Sequence, residues 1–466
     1  MENRVLTAQT TEKIGEEINL YGWVNSRRDH GGVVFVDLRD RSGLVQLVCT
    51  PEQVEDLRNE YVLEVKGEVK QRPESMVNPE LKTGEVEIKV GDIEILSKSK
   101  TPPFSIHDDG YEINEKIRMD YRYLDLRRSR MAKNLRQRCK AVQYIRNYLL
   151  KRDFCEVETP ILSKSTPEGA RDFLVPSRLQ PGKFYALPQS PQQYKQLLMV
   201  AGVERYFQIA RCFRDEDPRA DRAYGEFTQL DLEMSFVTQE EILQLTEDLF
   251  TTMVESIWPE KKIKEKPWPR LSYDDVMKRY DSDKPDLRES PEDPDELAFA
   301  WVVDFPLFVE QTEKDYFHGA GENLAPSHHM FTAPHPEDVG LLDSNPLEVR
   351  GLQHDLVLNG FEVGGGSIRI HQADIQEKVF ELIGFGEEQK QEFEHLLTAF
   401  RYGVPPHGGI APGIDRLLMV ILGELSLREV MAFPTSGSGE TSVMDAPSEV
   451  SSEQLEELGI EVREKD

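Results

Sequence analysis

Residues 354–370 read HDLVLNGFEVGGGSIRI, two apolar runs on either side of Asn359-Gly360. That dipeptide between apolar runs is the strongest short-range signal for a β-hairpin. A two-residue loop pairs Leu358 with Phe361 and Val357 with Glu362, which makes Asp355 and Glu362 diagonal neighbours on one face. Two carboxylates with partly apolar flanks are costly unless a cation neutralises them. A hard divalent ion, Mg²⁺ shared with phosphates, is the natural partner. The competing reading is two solvated acids on an outer face, and the hairpin geometry alone does not choose. Gly364, Gly365 and Gly366 weaken a strand and so mark a bulge or the close approach of a ligand. Strict alternation points Arg369 away from Glu362, and a single bulge in the glycines would bring it back.

Outward from the hairpin, further strand-like runs appear: CEVETPIL (155–162), RYFQIARCFRD (205–215), EFTQLDLEMSF (226–236) and AFAWVVDFPLF (298–308). Helical spacing of apolar residues marks 134–154, 239–257 and 387–403. Long strands with helices outside, and no βαβ alternation with GxGxxG, predict an antiparallel sheet flanked by helices in a multidomain α+β protein. Residues 1–104 differ. Five short β segments (18–24, 32–40, 43–50, 61–70 and 86–96) fit a small Greek-key barrel such as an OB-fold. Residues 105–130 then read as a linker or hinge, continuing a Pro-, Ser- and charge-rich stretch that starts at Ser97. The second domain spans 131–466, with an acidic, Pro-rich crossover at 281–299.

At 466 residues the chain is too long for one core. A hydrophobic fraction of 38% and a charged fraction of 30% exclude membrane, collagen-like and most disordered classes. No apolar run approaches the ~18 residues of a membrane helix, and the N-terminus lacks a secretion signal. Four scattered cysteines (Cys49, Cys139, Cys155, Cys212) are those expected of a reduced cytoplasmic protein. The net charge of −29 argues against a nucleic-acid partner. A local basic patch such as Arg27-Arg28 can still act on an acidic body.

Three more constellations carry chemistry. In 205–236, alternation puts Arg214 with Glu216 on one strand, and Phe227, Gln229, Asp231 and Glu233 together on the next. An Arg beside an exposed aromatic suits phosphate pairing and base stacking. In QSPQQYKQLL, Ser190 is a good N-cap, Pro191 suits the first helical position, and Gln193 completes a capping box. Gln192 and Lys195 then share a helix face. In GGIAPGIDRLLMVILGE, Asp415-Arg416 opens an apolar helix, and an Arg there needs an anionic partner.

Taken in order, FCEVETPIL, FRDE…EFTQLD and GGIAPGIDRL resemble motifs 1, 2 and 3 of the class II aminoacyl-tRNA synthetases. TPEGARDFLVP, QSPQQYKQLL and NGFEVGGGSIRIH resemble the bacterial-type aspartyl-tRNA synthetases, and the likeness includes the barrel's GWVNSRRDHGGVVFVDLRDRSGLVQ. The resemblance implies ligation of aspartate to tRNA(Asp), with ATP and Mg²⁺. Arg214 would clamp the α-phosphate of ATP and the α-carboxylate of aspartate. Asp215, Glu216, Gly413, Ile414 and Asp415 would lie in the nucleotide site, Phe227 under adenine and Arg416 above it. Glu362 and Asp355 would carry Mg²⁺, so that Arg214, Arg416 and Glu362 hold the catalytic charge. Glu168 would bind the amino group of aspartate. Arg369 and Lys195 would read its side-chain carboxylate, assisted by Gln192, His328 and His329. In the barrel, Phe35 and Gln46 would hold the middle anticodon base, with Arg28 nearby.

The resemblance also implies a cytoplasmic homodimer through residues 131–160. Relaxed members that also charge tRNA(Asn) often have His where this chain has His30. The nearest rival is asparaginyl-tRNA synthetase, against which Arg369 beside Lys195 argues. A non-catalytic paralogue would be expected to lack Arg214, Glu362 or Arg416. Two departures stand out. The crossover at 281–299 leaves no room for the large insertion domain of bacterial-type members. The loop DRAYGEF, around Ala223 and Tyr224, is one residue longer than the family pattern.

Overall fold

The computed structural model describes residues 3–165, 170–217, 219–222, 224–311 and 324–463. The chain divides into two compact units, Met1–Ser105 and Ile106–Asp466.

The first unit is a closed barrel. Its strands Glu17–His30, Val33–Asp40 and Gly43–Cys49 form a meander, and Val86–Ser97 pairs parallel to the third and antiparallel to Val62–Gln71. Val62–Gln71 pairs back onto Glu17–Trp23, so the first strand serves two neighbours and the ring closes. Closure removes the exposed edges that an open sheet would present. Alternation in the first strand buries Ile18, Leu20 and Val24 against Val36, Leu47, Leu63 and Ile88.

The second unit is built on an eight-stranded sheet. Its order is Arg270–Ser272, Phe299–Val303, Gln353–Leu358, Phe361–Ile368, His407–Pro412, Gly225–Ser235, Arg205–Arg214 and Cys155–Glu156. The six inner strands are antiparallel, and each outermost strand joins in parallel. Helices Ser129–Leu150, Gln239–Ile257 and Ile414–Leu422 place Ile145, Phe250, Met253 and Leu418 in one apolar core with Leu230, Leu232 and Leu356. Helix Gln239–Ile257 opens with a capping box between Thr238 and Glu241. Among the described residues no helix is long and apolar enough to cross a membrane.

The hairpin register is the predicted one: Leu358 faces Phe361 and Val357 faces Glu362. The bulge falls one residue earlier than the glycines, since Leu356 faces Gly364 and Val363 is the extra residue. It shifts the phase of the strand, and Glu362, Gly365 and Arg369 all line one cavity.

Three expectations need correction. The 105–130 segment is no hinge. From Ile106 it belongs to the second unit, with helices Glu115–Asp120 and Arg122–Asp125. Asp125 is fully buried and accepts from Arg118 (3.0 Å), Arg122 (2.6 Å) and Arg128 (2.7 Å). Arg118 and Arg130 both reach Glu429 at 2.7 Å. Charges that read as a solvated linker are buried because they pair with one another and, through Arg118 and Arg130, with Glu429 some 300 residues away. The run 155–162 is a strand only at Cys155–Glu156, and 387–403 divides into Glu387–Glu392 and Glu394–Phe400 around the buried Phe393.

Candidate active site

A cavity of about 440 Å³ opens in the second unit, and strand Gly225–Ser235 sends Phe227, Gln229 and Asp231 into it at a spacing of two. Helix Gln192–Val200 adds Gln192 and Lys195. Its N-cap is Pro191 with no side-chain cap, so the expected capping box at Ser190 and Gln193 does not form. Gln193 Oε1 instead lies 2.6 Å from His395 Nε2.

At the inner end four charges interlock. Lys195 Nζ donates to Asp231 at 2.7 Å and lies 3.4 Å from Glu233. Arg369 grips Glu233 with two parallel bonds, Nε–Oε1 at 3.0 Å and Nη2–Oε2 at 3.2 Å. Its Nη1 donates to Ser367 Oγ (2.5 Å) and His329 Nε2 (2.7 Å). Four of the five guanidinium N–H groups are thus used among the described residues. A carboxylate entering the cavity meets Arg369 through the remaining one, not through an open fork. Burial would raise the Glu233 carboxyl, but the charges of Arg369 and Lys195 outweigh it and hold it below its ordinary range. Burial raises the Asp231 carboxyl against the pull of Lys195. His328 is pushed down to about 3 by burial and then by the charges of Arg369 and Arg214, and His329 falls in the same direction. Both imidazoles are therefore neutral near pH 7.

Gly365 stands at the middle of the wall. A Cβ there would lie 3.1 Å from Asp355 Oδ1 and 3.4 Å from His328 Nε2, so only glycine keeps this space open. Asp355 does not itself line the cavity, but it is buried beside Gly365. Burial, and then the charge of Glu362, raises its carboxyl well above the ordinary range. Asp355 is buried and Glu362 beside it is exposed, and a pair that opens to solvent on one side fits a hard divalent cation. No group of three His, Cys, Asp or Glu among the described residues is arranged to hold a metal. The remaining ligands would come from phosphate and water.

At the mouth, the Arg214 guanidinium carbon lies 5.1 Å from the centre of the Phe227 ring. Arg416 donates to the carbonyls of Glu362 (2.6 Å) and Asp221 (3.0 Å), and Arg222 lies 3.2 Å from Glu216. Gly413, Asp415 and Arg416 line the cavity. Ile414 is packed in the apolar core and Asp215 lies outside the wall, where Tyr224 Oη donates to it at 3.2 Å. Asp415 has both oxygens engaged, one by the Thr228 N–H at 2.7 Å and the other by Arg138. These three were expected in the nucleotide site; of their side chains only that of Asp415 lines the cavity. Glu168 and Ala223 lie outside the described residues. The sequence reading placed Asp231 and Glu233 on the right face without assigning them as counter-charges. The signal was their period-two spacing opposite two cations that also had to be neutralised.

In the barrel, Arg28 pairs across the strands with Phe35, and Asp37 with Gln46. Arg28 Nη2 donates to Asp37 Oδ1 (2.9 Å) and Gln46 Oε1 (3.4 Å), while Gln46 Nε2 donates to Glu87 (3.2 Å). The His30 and Phe35 rings meet edge to face, 5.7 Å apart.

Residues 114–437 match the family model for tRNA synthetases class II (D, K and N), and residues 18–96 match the OB-fold nucleic acid binding domain. The chain belongs to the class II tRNA synthetases. Its relatives include an aspartate–tRNA(Asp/Asn) ligase of Rubrobacter xylanophilus, 45% identical over 96% of this chain and 94% of the relative. An aspartate–tRNA ligase of Bacillus licheniformis is 41% identical over 98% of each. The alignment with the Rubrobacter protein runs to 577 positions against 466 residues here, so that relative has many residues without a counterpart in this synthetase. Among solved structures, Pyrococcus horikoshii asparaginyl-tRNA synthetase with asparaginyl-adenylate superposes with a TM-score of 0.75. The identity is 23%, over 93% of this chain and 98% of that one. A putative aspartyl-tRNA synthetase from Leishmania major gives 0.73 at 20% identity, covering 93% of each. These two likenesses concern the fold.

Proposed function

We propose that this synthetase is an aspartate–tRNA ligase that joins L-aspartate to ATP and then to tRNA. The observation that carries the reading is the inner end of the cavity, where Lys195 and Arg369, both paired with the buried Glu233, stand beside neutral His328 and His329. A side-chain carboxylate entering there meets cationic N–H donors on two sides. An amide would direct its own N–H₂ at those donors. The names of the relatives support aspartate as the amino acid.

An oxygen of the α-carboxylate attacks the α-phosphorus of ATP. A P–O bond forms and the bond to pyrophosphate breaks, its electron pair leaving with pyrophosphate. The 3′-terminal ribose hydroxyl of tRNA then attacks the acyl carbon, and AMP departs. Arg214 bridges α-phosphate and α-carboxylate, Phe227 and Arg416 sandwich the adenine, and Glu216 borders the nucleotide. Gln192 orients the amino acid, and Glu168 is assigned its amino group. Asp355 and Glu362 would hold Mg²⁺, which supplies charge neutralisation on the phosphates. Positioning and charge stabilisation supply the catalysis, with no covalent enzyme intermediate.

Arg28, Phe35 and Gln46 hold the middle anticodon base on the barrel, by stacking and hydrogen bonding. The substrate range extends to tRNA(Asn). The Asp/Asn names of relatives favour this, and His30, whose imidazole can donate or accept, lies against Phe35. The enzyme works in the cytoplasm as a two-fold homodimer through residues 131–160. Light scattering that returns the mass of one chain at micromolar concentration would end the dimer proposal. ATP–pyrophosphate exchange tests the main reading: aspartate should support it and asparagine should not. Exchange with asparagine alone would make the protein an asparaginyl-tRNA synthetase, and exchange with neither would leave a non-catalytic paralogue.

A further inference from the structure

Each oxygen of Asp415 has a protein partner, and the residue is buried at the cavity wall, where it touches three elements. It sits in the first turn of helix Ile414–Leu422, immediately before Arg416. Its Oδ2 accepts the main-chain N–H of Thr228 at 2.7 Å, in the strand residue immediately after Phe227. Its Oδ1 pairs with Arg138, which projects from helix Ser129–Leu150. Gln229 forms an isolated bridge with Gly413 beside these contacts. We infer that Arg138, through Asp415, is a positioning residue that sets the spacing between Phe227 and Arg416 and so shapes the adenine-binding slot.

The reason is electrostatic. Asp415 has a side-chain exposure of 3%, and a carboxylate so buried is costly without a cation against it. Arg138 is that cation, and it stands outside the cavity wall. Without it, a buried carboxylate is left without its counter-charge, and the start of the helix must rearrange around it. That rearrangement weakens the hold on Thr228. Phe227 and Arg416, each one residue from a clamped atom, then lose their common reference. The amino-acid end is built from Lys195, Asp231, Glu233 and Arg369, which pair with one another in a network of their own.

The inference rests on the proposed nucleotide site, and the test keeps the two separable. ATP–pyrophosphate exchange is measured with the full-length protein and with Arg138→Met, Arg138→Lys, Asp415→Asn and the double variant Arg138→Met/Asp415→Asn. Arg138→Met should raise the KM for ATP about tenfold while the KM for the amino acid stays within about twofold. Arg138→Lys, which keeps the charge, should recover most of the loss. The double variant should be no worse than the poorer single one, because both remove one interaction. An unchanged KM for ATP would overturn the inference. So would a parallel rise in both KM values, or additive single effects. If Arg138→Met does not fold, Arg138→Lys and Asp415→Asn still decide: parent-like ATP KM in Asp415→Asn refutes the clamp. The activity of the parent with aspartate or another amino acid judges the proposed substrate separately.

Discussion

The barrel and the catalytic cavity both present charged and amide groups to a ligand, but they hold them differently. In the barrel the groups form a linear chain, Glu87 to Gln46 to Arg28 to Asp37, with Arg28 half exposed. In the cavity, Lys195, Asp231, Glu233 and Arg369 are all nearly or fully buried and each partner closes on another. Water can replace a lost partner of Arg28, although Asp37 beside it is buried. In the cavity a lost partner leaves a naked charge, and that costs far more. On the proposed assignments, base recognition tolerates single substitutions better than amino-acid recognition does.

The largest effect should come from breaking the closed network. Arg369→Leu leaves Glu233 buried without its two-bond partner. Aspartate activation in pyrophosphate exchange should fall by roughly 3–5 kcal/mol, more than a hundredfold. Activation of aspartate at the parent rate would show that Arg369 does not serve the amino acid. The second buried cluster, around Asp125, tests the same principle away from any ligand. Asp125→Asn leaves Arg118, Arg122 and Arg128 short of one counter-charge, and about 3 kcal/mol of stability should be lost in thermal or urea unfolding.

This cluster also carries a pH signature. Burial alone would raise the Asp125 carboxyl, but hydrogen bonds and charge from Arg118 and its neighbours hold it below its ordinary range, and the same balance lowers Glu429. Their stabilisation is complete above the ordinary carboxylate range and is lost as pH falls through their depressed values. Thermal midpoints should fall as pH drops below the ordinary carboxylate range, about 4, and Asp125→Asn should flatten that acid limb. An unchanged limb would mean that other carboxylates control acid unfolding.

On the barrel side the effects should be smaller. His30→Leu should reduce charging of tRNA(Asn) by about 1 kcal/mol or more, the scale of one hydrogen bond, with tRNA(Asp) nearly unaffected. Equal loss with both tRNAs would remove His30 from the discrimination. The mildest expected change is Glu87→Gln. The Glu87 carboxylate only accepts, so it holds the Gln46 amide with Nε2 inward and Oε1 toward Arg28. An amide in its place allows the reverse orientation. Transcripts carrying each of the four middle anticodon bases should then differ less in kcat/KM, by under about 1 kcal/mol, while pyrophosphate exchange stays at the parent level.

Much of this molecule was legible before its structure. Asn359-Gly360 sets a hairpin register through local turn chemistry, and period-two alternation put Phe227 through Glu233 on one face, because both rules involve only neighbours. The five barrel strands and the helices at 129–150 and 239–257 declared themselves in the same way. What the chain's order could not express is which distant charges meet. Glu233 takes up Arg369 across 136 residues, Asp415 joins Arg138 across 277, and Glu429 draws 118 and 130 into a core that composition alone marks as a linker. The bulge at Val363, which brings Arg369 to the cavity that Glu362 lines, likewise shows only in the pairing of the two strands. Local preference decides where an element begins and which face is apolar. Only the folded arrangement decides which charge is neutralised by which, because burial makes each one depend on a partner that sequence distance does not reveal.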